Sequence, residues 1–129
     1  MAQVKIFGLE ESLAGARDQM SYVIHSCVVD ALDLPPEKKF HRFFPMKPAN
    51  FIYPEGRSES YTIIEIQVFE GRSVESKKKL IRLLYDRLKE KLGMSPKDLE
   101  INIIETPMSN WGIKGLPADE LSLDYKVDV

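Results

Sequence analysis

The sequence is poor in the residues that most often announce chemistry. Its one cysteine, Cys27, excludes an internal disulfide and a paired-thiol site, and its two histidines, His25 and His41, match no metal-ligand spacing. No glycine-rich phosphate loop or nucleophile elbow is present, so neither a metal nor a nucleotide cofactor is expected. An excess of one charge is also missing. The 18 basic and 20 acidic residues leave a net charge of -2. With a pI near 5.7, there is no electrostatic reason to expect a nucleic-acid or anionic-membrane partner. No apolar run reaches membrane-spanning length and no signal-like segment opens the chain, which makes the cytoplasm the expected location.

What is present is ordinary material for one core. At 129 residues, 43% hydrophobic and 29% charged, the chain reads as a single domain over residues 1–129. Gln3 to Phe7 alternates as a short strand, and Gly8 ends it. A first amphipathic helix follows, capped by Ser12 or an acidic neighbour, with apolar positions from Leu13 to Leu32. Leu34-Pro35-Pro36 terminates it, because the residue before a proline avoids helical geometry. A strand from about Lys39 to Phe44 leads into an irregular, proline-containing segment. Tyr61 to Phe69 alternates again and stops at Glu70-Gly71-Arg72-Ser73, from which a second helix runs to Leu92 with Ser73 as its N-cap. Its basic residues, Arg87 among them, are assigned to a solvated outer surface. A further apolar run spans Leu99 to Ile104, and the unit closes on Asn110-Trp111-Gly112-Ile113. Leu121 to Val129 alternates once more, as an edge strand or a strand lent to a neighbour.

Sliding the chain against itself by 60 positions aligns two halves without a gap, with Glu10 on Glu70, Leu32 on Leu92, Pro36 on Pro96, Asn50 on Asn110 and Phe51 on Trp111. Residues 2–53 and 61–113 therefore read as two copies of one β-α-β unit. Right-handed crossovers put both helices on one face of a joined four-stranded mixed sheet, an α/β two-layer sandwich. The alternation turns Val4, Ile6, Ile64, Ile66, Val68, Ile101 and Ile103 toward the helices. It leaves Gln3, Lys5, Arg42, Glu65, Gln67, Glu100 and Asn102 on the opposite face, where Arg42 is expected to pair with Glu65 or Glu100.

The segment Thr62 to Ile113 resembles the tautomerase superfamily, which includes 4-oxalocrotonate tautomerase and macrophage migration inhibitory factor. The shared features are the strand ending in Glu70-Gly71-Arg72-Ser73, a helix of matching length, the strand Ile101 to Ile104, and Trp111-Gly112-Ile113 in place of an aromatic-Gly-Ile. Through the repeat the likeness extends to the first half, and Arg57-Ser58 before the central strand is similar to the longer fused members. The resemblance implies a homotrimer and keto-enol chemistry, or a related hydration or decarboxylation, on a small keto carboxylic acid. It also implies an amino-terminal proline as general base. Here Ala2 takes that place and lies opposite Thr62 in the repeat, so a Met1 or Ala2 amine is the remaining candidate. A second cation of the family pattern aligns with Glu100.

Four side chains are the candidate substrate-binding set. Arg72 can clamp a carboxylate with its planar fork beside a helix N-terminus, or pair structurally with Glu70 or a neighbouring subunit. Trp111 can wall an apolar pocket or anchor packing or an interface, and Arg57 and Tyr53 lie in the loop before the central strand, where Arg57 either supplies the cation lost at Glu100 or is a solvated loop arginine. The alternative to an enzyme is a non-catalytic trimer with the same fold that binds a small ligand or serves in assembly. The β-α-β-β-α-β order also occurs in RNA-recognition modules, but Glu65 and Gln67 stand where such modules stack bases.

Overall fold

The computed structural model describes residues 2–123 and 125–129. Strand β1 (Ala2–Leu9) and strand β3 (Thr62–Phe69) run antiparallel at the centre of a four-stranded sheet. Each has a parallel outer neighbour, β2 (Phe40–Met46) beside β1 and β4 (Leu99–Thr106) beside β3, giving the order β2-β1-β3-β4. The central strands show the alternation expected when one face is covered, with Val4, Ile6, Ile64, Ile66 and Val68 buried and Gln3, Lys5, Phe7, Ile63, Glu65 and Gln67 between them half-exposed. Helix α2 (Arg17–Leu32) and helix α3 (Val74–Leu92) lie together on that face, and their buried residues join the strands in one core.

The offset of 60 recurs in the geometry. Ala2–Leu9 and Thr62–Phe69 are both strands, and the pairings Gln3↔Phe40 and Ile63↔Glu100 repeat it. The 3-10 turns Pro48–Asn50 and Met108–Asn110 repeat it too. So do the left-handed helix C-caps Asp33 (φ 53) and Gly93 (φ 68). Only glycine is at ease with a positive φ, and aspartate tolerates it through its short polar side chain.

Several expectations need correction. The first helix is two helices, α1 (Glu10–Ala14) and α2, separated at Gly15 and Ala16. Leu13 presses on the end of β1, where a Cβ on Gly8 would sit 3.1 Å from Leu13 Cγ, and the chain must change direction before α2 can cover the sheet. Ser12 does not cap it; its hydroxyl donates to the Glu59 carbonyl at 2.6 Å. Arg87 is not on an outer surface but ties α3 to α2, donating to Asp30 Oδ2 at 2.7 Å and to Ser26 Oγ at 3.0 Å. Within the sheet of one chain Arg42 donates to Gln3 Oε1 at 2.7 Å, not to a glutamate. Among the described residues of 121–129 no strand forms; at its end the Val129 carbonyl accepts from Ser73 and Ser76 at the start of α3.

The open face is less polar than the alternation suggested. Pairing registers place Phe44, Phe7, Ile63 and Glu100 in one cross-strand row, Arg42, Lys5, Glu65 and Asn102 in the next, and Phe40, Gln3, Gln67 and Ile104 in the third. Phe7 and Phe44 stack with ring centroids 4.7 Å apart. Among the described residues no helix is long and apolar enough to cross a membrane.

Candidate functional site

Because β1 and β3 are antiparallel, the start of β1 lies against the end of β3, with Ala2 in register with Val68. Immediately beyond Val68 come Phe69, the Glu70-Gly71 turn, Arg72 and the N-terminus of α3. Gly71 adopts φ +123, a conformation that side-chain-bearing residues rarely reach, and this sharp turn brings Arg72 back under the strand end. Ser73 caps α3, its hydroxyl accepting from the Ser76 amide at 3.1 Å.

Arg72 is only 5% exposed. Its Nη1 donates to the Phe69 carbonyl at 3.2 Å, while Nε and Nη2 have no hydrogen-bond partner. These two nitrogens share one edge of the guanidinium, the edge that forms paired bonds to a carboxylate. Burial pulls the Arg72 pKa down and the Glu105 carboxylate opposes the shift; a guanidinium does not lose its proton in a protein, so the group stays charged. A buried cation with two unsatisfied donors is costly to fold around, and that edge of the guanidinium has the geometry to pair with a carboxylate. Trp111 packs edge-on against Phe69, centroids 4.8 Å apart, and so walls the same end of the sheet. Ala2 is 3% exposed at the mouth of this site, and Met1, the other candidate amine, lies outside the described residues.

The remaining two candidates are elsewhere. Arg57 Nη2 stands 3.8 Å from Glu100 Oε1, and its guanidinium carbon lies 5.6 Å from the centre of the Tyr61 ring. Tyr53 packs on Tyr61 and on Phe51, at 5.2 and 5.6 Å between centroids. This cluster surrounds the start of β3, the opposite end from Arg72, and the strand between them spans roughly 23 Å at ~3.3 Å per residue. Burial raises the Tyr61 pKa and the neighbouring Glu100 adds to it, so the phenol remains a proton donor at neutral pH. Within one chain, then, Arg72 and Trp111 both pack on Phe69 beside the start of β1, whereas Arg57 and Tyr53 lie at the other end of β3, with Arg57 next to Glu100.

Two features of the Arg72 end escaped the sequence. Val127 covers Gly71, where a Cβ would meet Val127 Cγ1 at 3.2 Å, and the Val129 carbonyl accepts from Ser73 Oγ at 3.0 Å and from Ser76 Oγ at 2.5 Å. The residues flanking Arg72 are thus held by the tail. The second is a hairpin after Trp111, formed by β5 (Gly112–Ile113) and β6 (Leu116–Pro117). A Lys-Gly pair between two short apolar runs was its signal.

Histidines 25 and 41 form a separate cluster between α2 and β2. Their rings meet edge-on at 5.8 Å, His41 Nδ1 shares a 2.7 Å hydrogen bond with Ser21 Oγ, and His25 Nε2 donates to the Pro36 carbonyl at 2.6 Å. Among the described residues no group of three or more His, Cys, Asp and Glu side chains is arranged to hold a metal ion.

Comparison with known proteins gives this geometry a context. A family described as tautomerase enzyme matches residues 38–114. The 2-hydroxymuconate tautomerase of Comamonas testosteroni is 39% identical over 57 residues, which are 44% of this chain and 90% of that protein. The 2-hydroxymuconate tautomerase of Pseudomonas putida is 37% identical over the same length, with the same two coverages. Among solved structures, a native fused 4-OT superposes with a TM-score of 0.80 at 20% identity, over 92% of this chain and 98% of that one. A malonate semialdehyde decarboxylase reaches 0.80 at 19% identity, over 91% and 94%. A fused 4-OT described as a symmetric trimer reaches 0.77 at 21% identity, over 91% and 96%.

Proposed function

The chain belongs to the tautomerase family, and from that premise we propose that it is a keto-enol tautomerase, or a related hydratase or decarboxylase, acting on a small keto carboxylic acid. The observation that carries this reading is the buried fork of Arg72, whose Nε and Nη2 lack acceptors beside the start of β1. A 2-keto acid offers adjacent carboxylate and carbonyl oxygens to that edge. As the enol or enolate forms, negative charge grows on the carbonyl oxygen, and a fixed cation in a water-poor site stabilises it more than it stabilises the ground state. Trp111 supplies an apolar wall that keeps the effective dielectric low. The base is an amine at the start of β1, where an ordinary α-amino pKa of about 8 would be lowered by a neighbouring guanidinium.

The assembly we assign is a homotrimer, supported by the trimeric fused 4-OT of the same fold. The central row of the open face fits a ring, since Arg42 and Lys5 lie toward the β2 edge and Glu65 toward the β4 edge. Head-to-tail copies would bring opposite charges together. A second reading is a non-catalytic trimer that binds a small acid, and it is favoured by Ala2 standing where a basic proline is expected. Ultraviolet assay of phenylpyruvate enolisation, with binding of the same acid measured by calorimetry, separates the two. Turnover lost in Arg72→Ala supports the enzyme; binding without turnover in the native protein supports the second reading; turnover unchanged in Arg72→Ala removes the site.

A further inference from the structure

One cross-strand row at the Arg72 end of the sheet holds three residues, Ala2 paired with Val68 and Val68 with Glu105. Ala2 and Val68 are buried under the helices, and Glu105 shares that face of β4 with Ile101 and Ile103. The row sets Glu105 two strand spacings, roughly 10 Å, from the head of β1. The next pairing, Phe69 with Thr106, carries the carbonyl that accepts from Arg72 Nη1. Glu105 is also the carboxylate whose charge acts on Arg72.

A carboxylate near a buried guanidinium with two free donors ordinarily turns to it and forms paired bonds. Glu105 does not. Its Oε1 accepts from Lys77 Nζ at 2.8 Å, while Arg72 Nε and Nη2 have no acceptor. Lys77 lies in the first turn of α3, its amide donating to the Ser73 carbonyl at 3.2 Å, so its backbone is fixed by the cap residue that follows Arg72. The Lys77 and Glu105 side chains are 24% and 31% exposed. A pair that open to water contributes little stability of its own, which leaves its effect on Arg72 as the consequence that matters.

We infer that Lys77 is a positioning residue for the Arg72 site: by holding Glu105, it keeps the Nε and Nη2 edge of the guanidinium free for a ligand. Without Lys77 the Glu105 side chain turns to that edge and becomes an internal competitor for an incoming acid. The inference rests on Arg72 as the anion-binding group of the proposed function and adds the device that keeps it open. If Glu105 occupies the edge in about nine molecules of ten, the apparent affinity for an acid falls about tenfold, because only the open fraction binds.

Phenylpyruvate is the probe, with binding read by calorimetry and turnover by ultraviolet absorbance. Lys77→Met should weaken binding and raise KM by about tenfold with kcat within about twofold, since the molecules that open react as before. Glu105→Gln alone should bind within about twofold of the native chain, and Lys77→Met combined with Glu105→Gln should regain native binding. Lys77→Arg should keep it. The loss in Lys77→Met should persist in about 0.5 M salt, where the long-range effect of one exposed charge is screened. Stability gives a readout without ligand: Glu105→Gln should lower Tm more in the Lys77→Met background than in the native one, because there it breaks a buried pair with Arg72. The proposal is overturned by undiminished binding in Lys77→Met, or by a loss that the double variant does not regain. Tightening in Glu105→Gln equal to the loss in Lys77→Met, the mark of a charge acting at a distance, would overturn it too, as would equal Tm shifts in the two backgrounds. A native protein that neither binds nor turns over phenylpyruvate counts against the proposed function, and the Tm comparison then decides this inference alone.

Discussion

Phe69 and Trp111 meet edge to face, ring centroids 4.8 Å apart at an interplanar angle of 65°, and this contact closes the Arg72 end of the sheet. Phe69 is fully buried although it lies on the open side of β3, and Trp111 is the ring packed against it. Trp111→Ala should therefore expose an aromatic ring and lower stability by about 2 kcal/mol, from lost burial plus the ring pair itself. Trp111→Phe should recover more than half of that. Urea unfolding of the three proteins checks it; equal midpoints for native and Trp111→Ala would show that the contact carries no stability.

Arg72 should reveal a conflict between stability and activity. One of its three nitrogens is satisfied, by the Phe69 carbonyl, and two are buried without partners. Replacing a buried charge with an apolar chain of similar volume removes the desolvation cost, so Arg72→Met should be at least as stable as the native chain. Turnover of phenylpyruvate should fall by about 10²-fold or more, the usual cost of losing a preorganised charge at a developing oxyanion. A large drop in Tm would instead make Arg72 a structural residue whose partners lie in a neighbouring copy.

Most of the fold was legible because period-two alternation and the offset of 60 constrain each other: once Val4 and Ile64 share a face, the strand order and the side of both helices follow. The break at Gly15 was not, since Leu13, Ala16 and Met20 keep helical spacing across it and only the contact of Leu13 with Gly8 requires the turn. Arg57 and Arg72 sit before and after the same strand, so within one chain they belong to different ends of the sheet. A strand is a spacer, and residues at its two ends are kept apart by its length. The tail's attachment to Ser73 and Ser76 left no trace in the pattern, because alternation in residues 121–129 serves a crossing segment as well as an edge strand.

The His41 cluster predicts an acid-sensitive fold. Burial, then the Lys39 charge and His25, lower the His41 pKa from 6.5 to about 4. The folded state thus prefers neutral His41, while the unfolded chain takes up the proton near 6.5. That contribution to stability is fully present above pH 6.5 and is lost as the pH falls toward 4. Thermal melts at pH 7 and pH 4.5 should show a drop that is smaller in His41→Gln, which keeps a partner for Ser21 without titrating. An identical drop in the variant would assign the acid sensitivity to other groups.

The start of β1 gives the most direct test of the chemistry. Ala2 is buried and in register with Val68, so an amine there lies at the end of β3 from which Arg72 follows. Proline is tolerated as the first residue of a strand, where its missing N–H and fixed φ do little harm. A protein made with Ala2→Pro and without Met1 should therefore fold, and a secondary amine in place of the native group should raise phenylpyruvate turnover by about 10²-fold, the usual contribution of a positioned general base. Ala2→Gly without Met1 supplies only a primary amine and should gain far less. If both variants melt like the native chain and neither gains activity, the base does not sit at the head of β1. Arg72 would then be holding an anion for some purpose other than proton transfer.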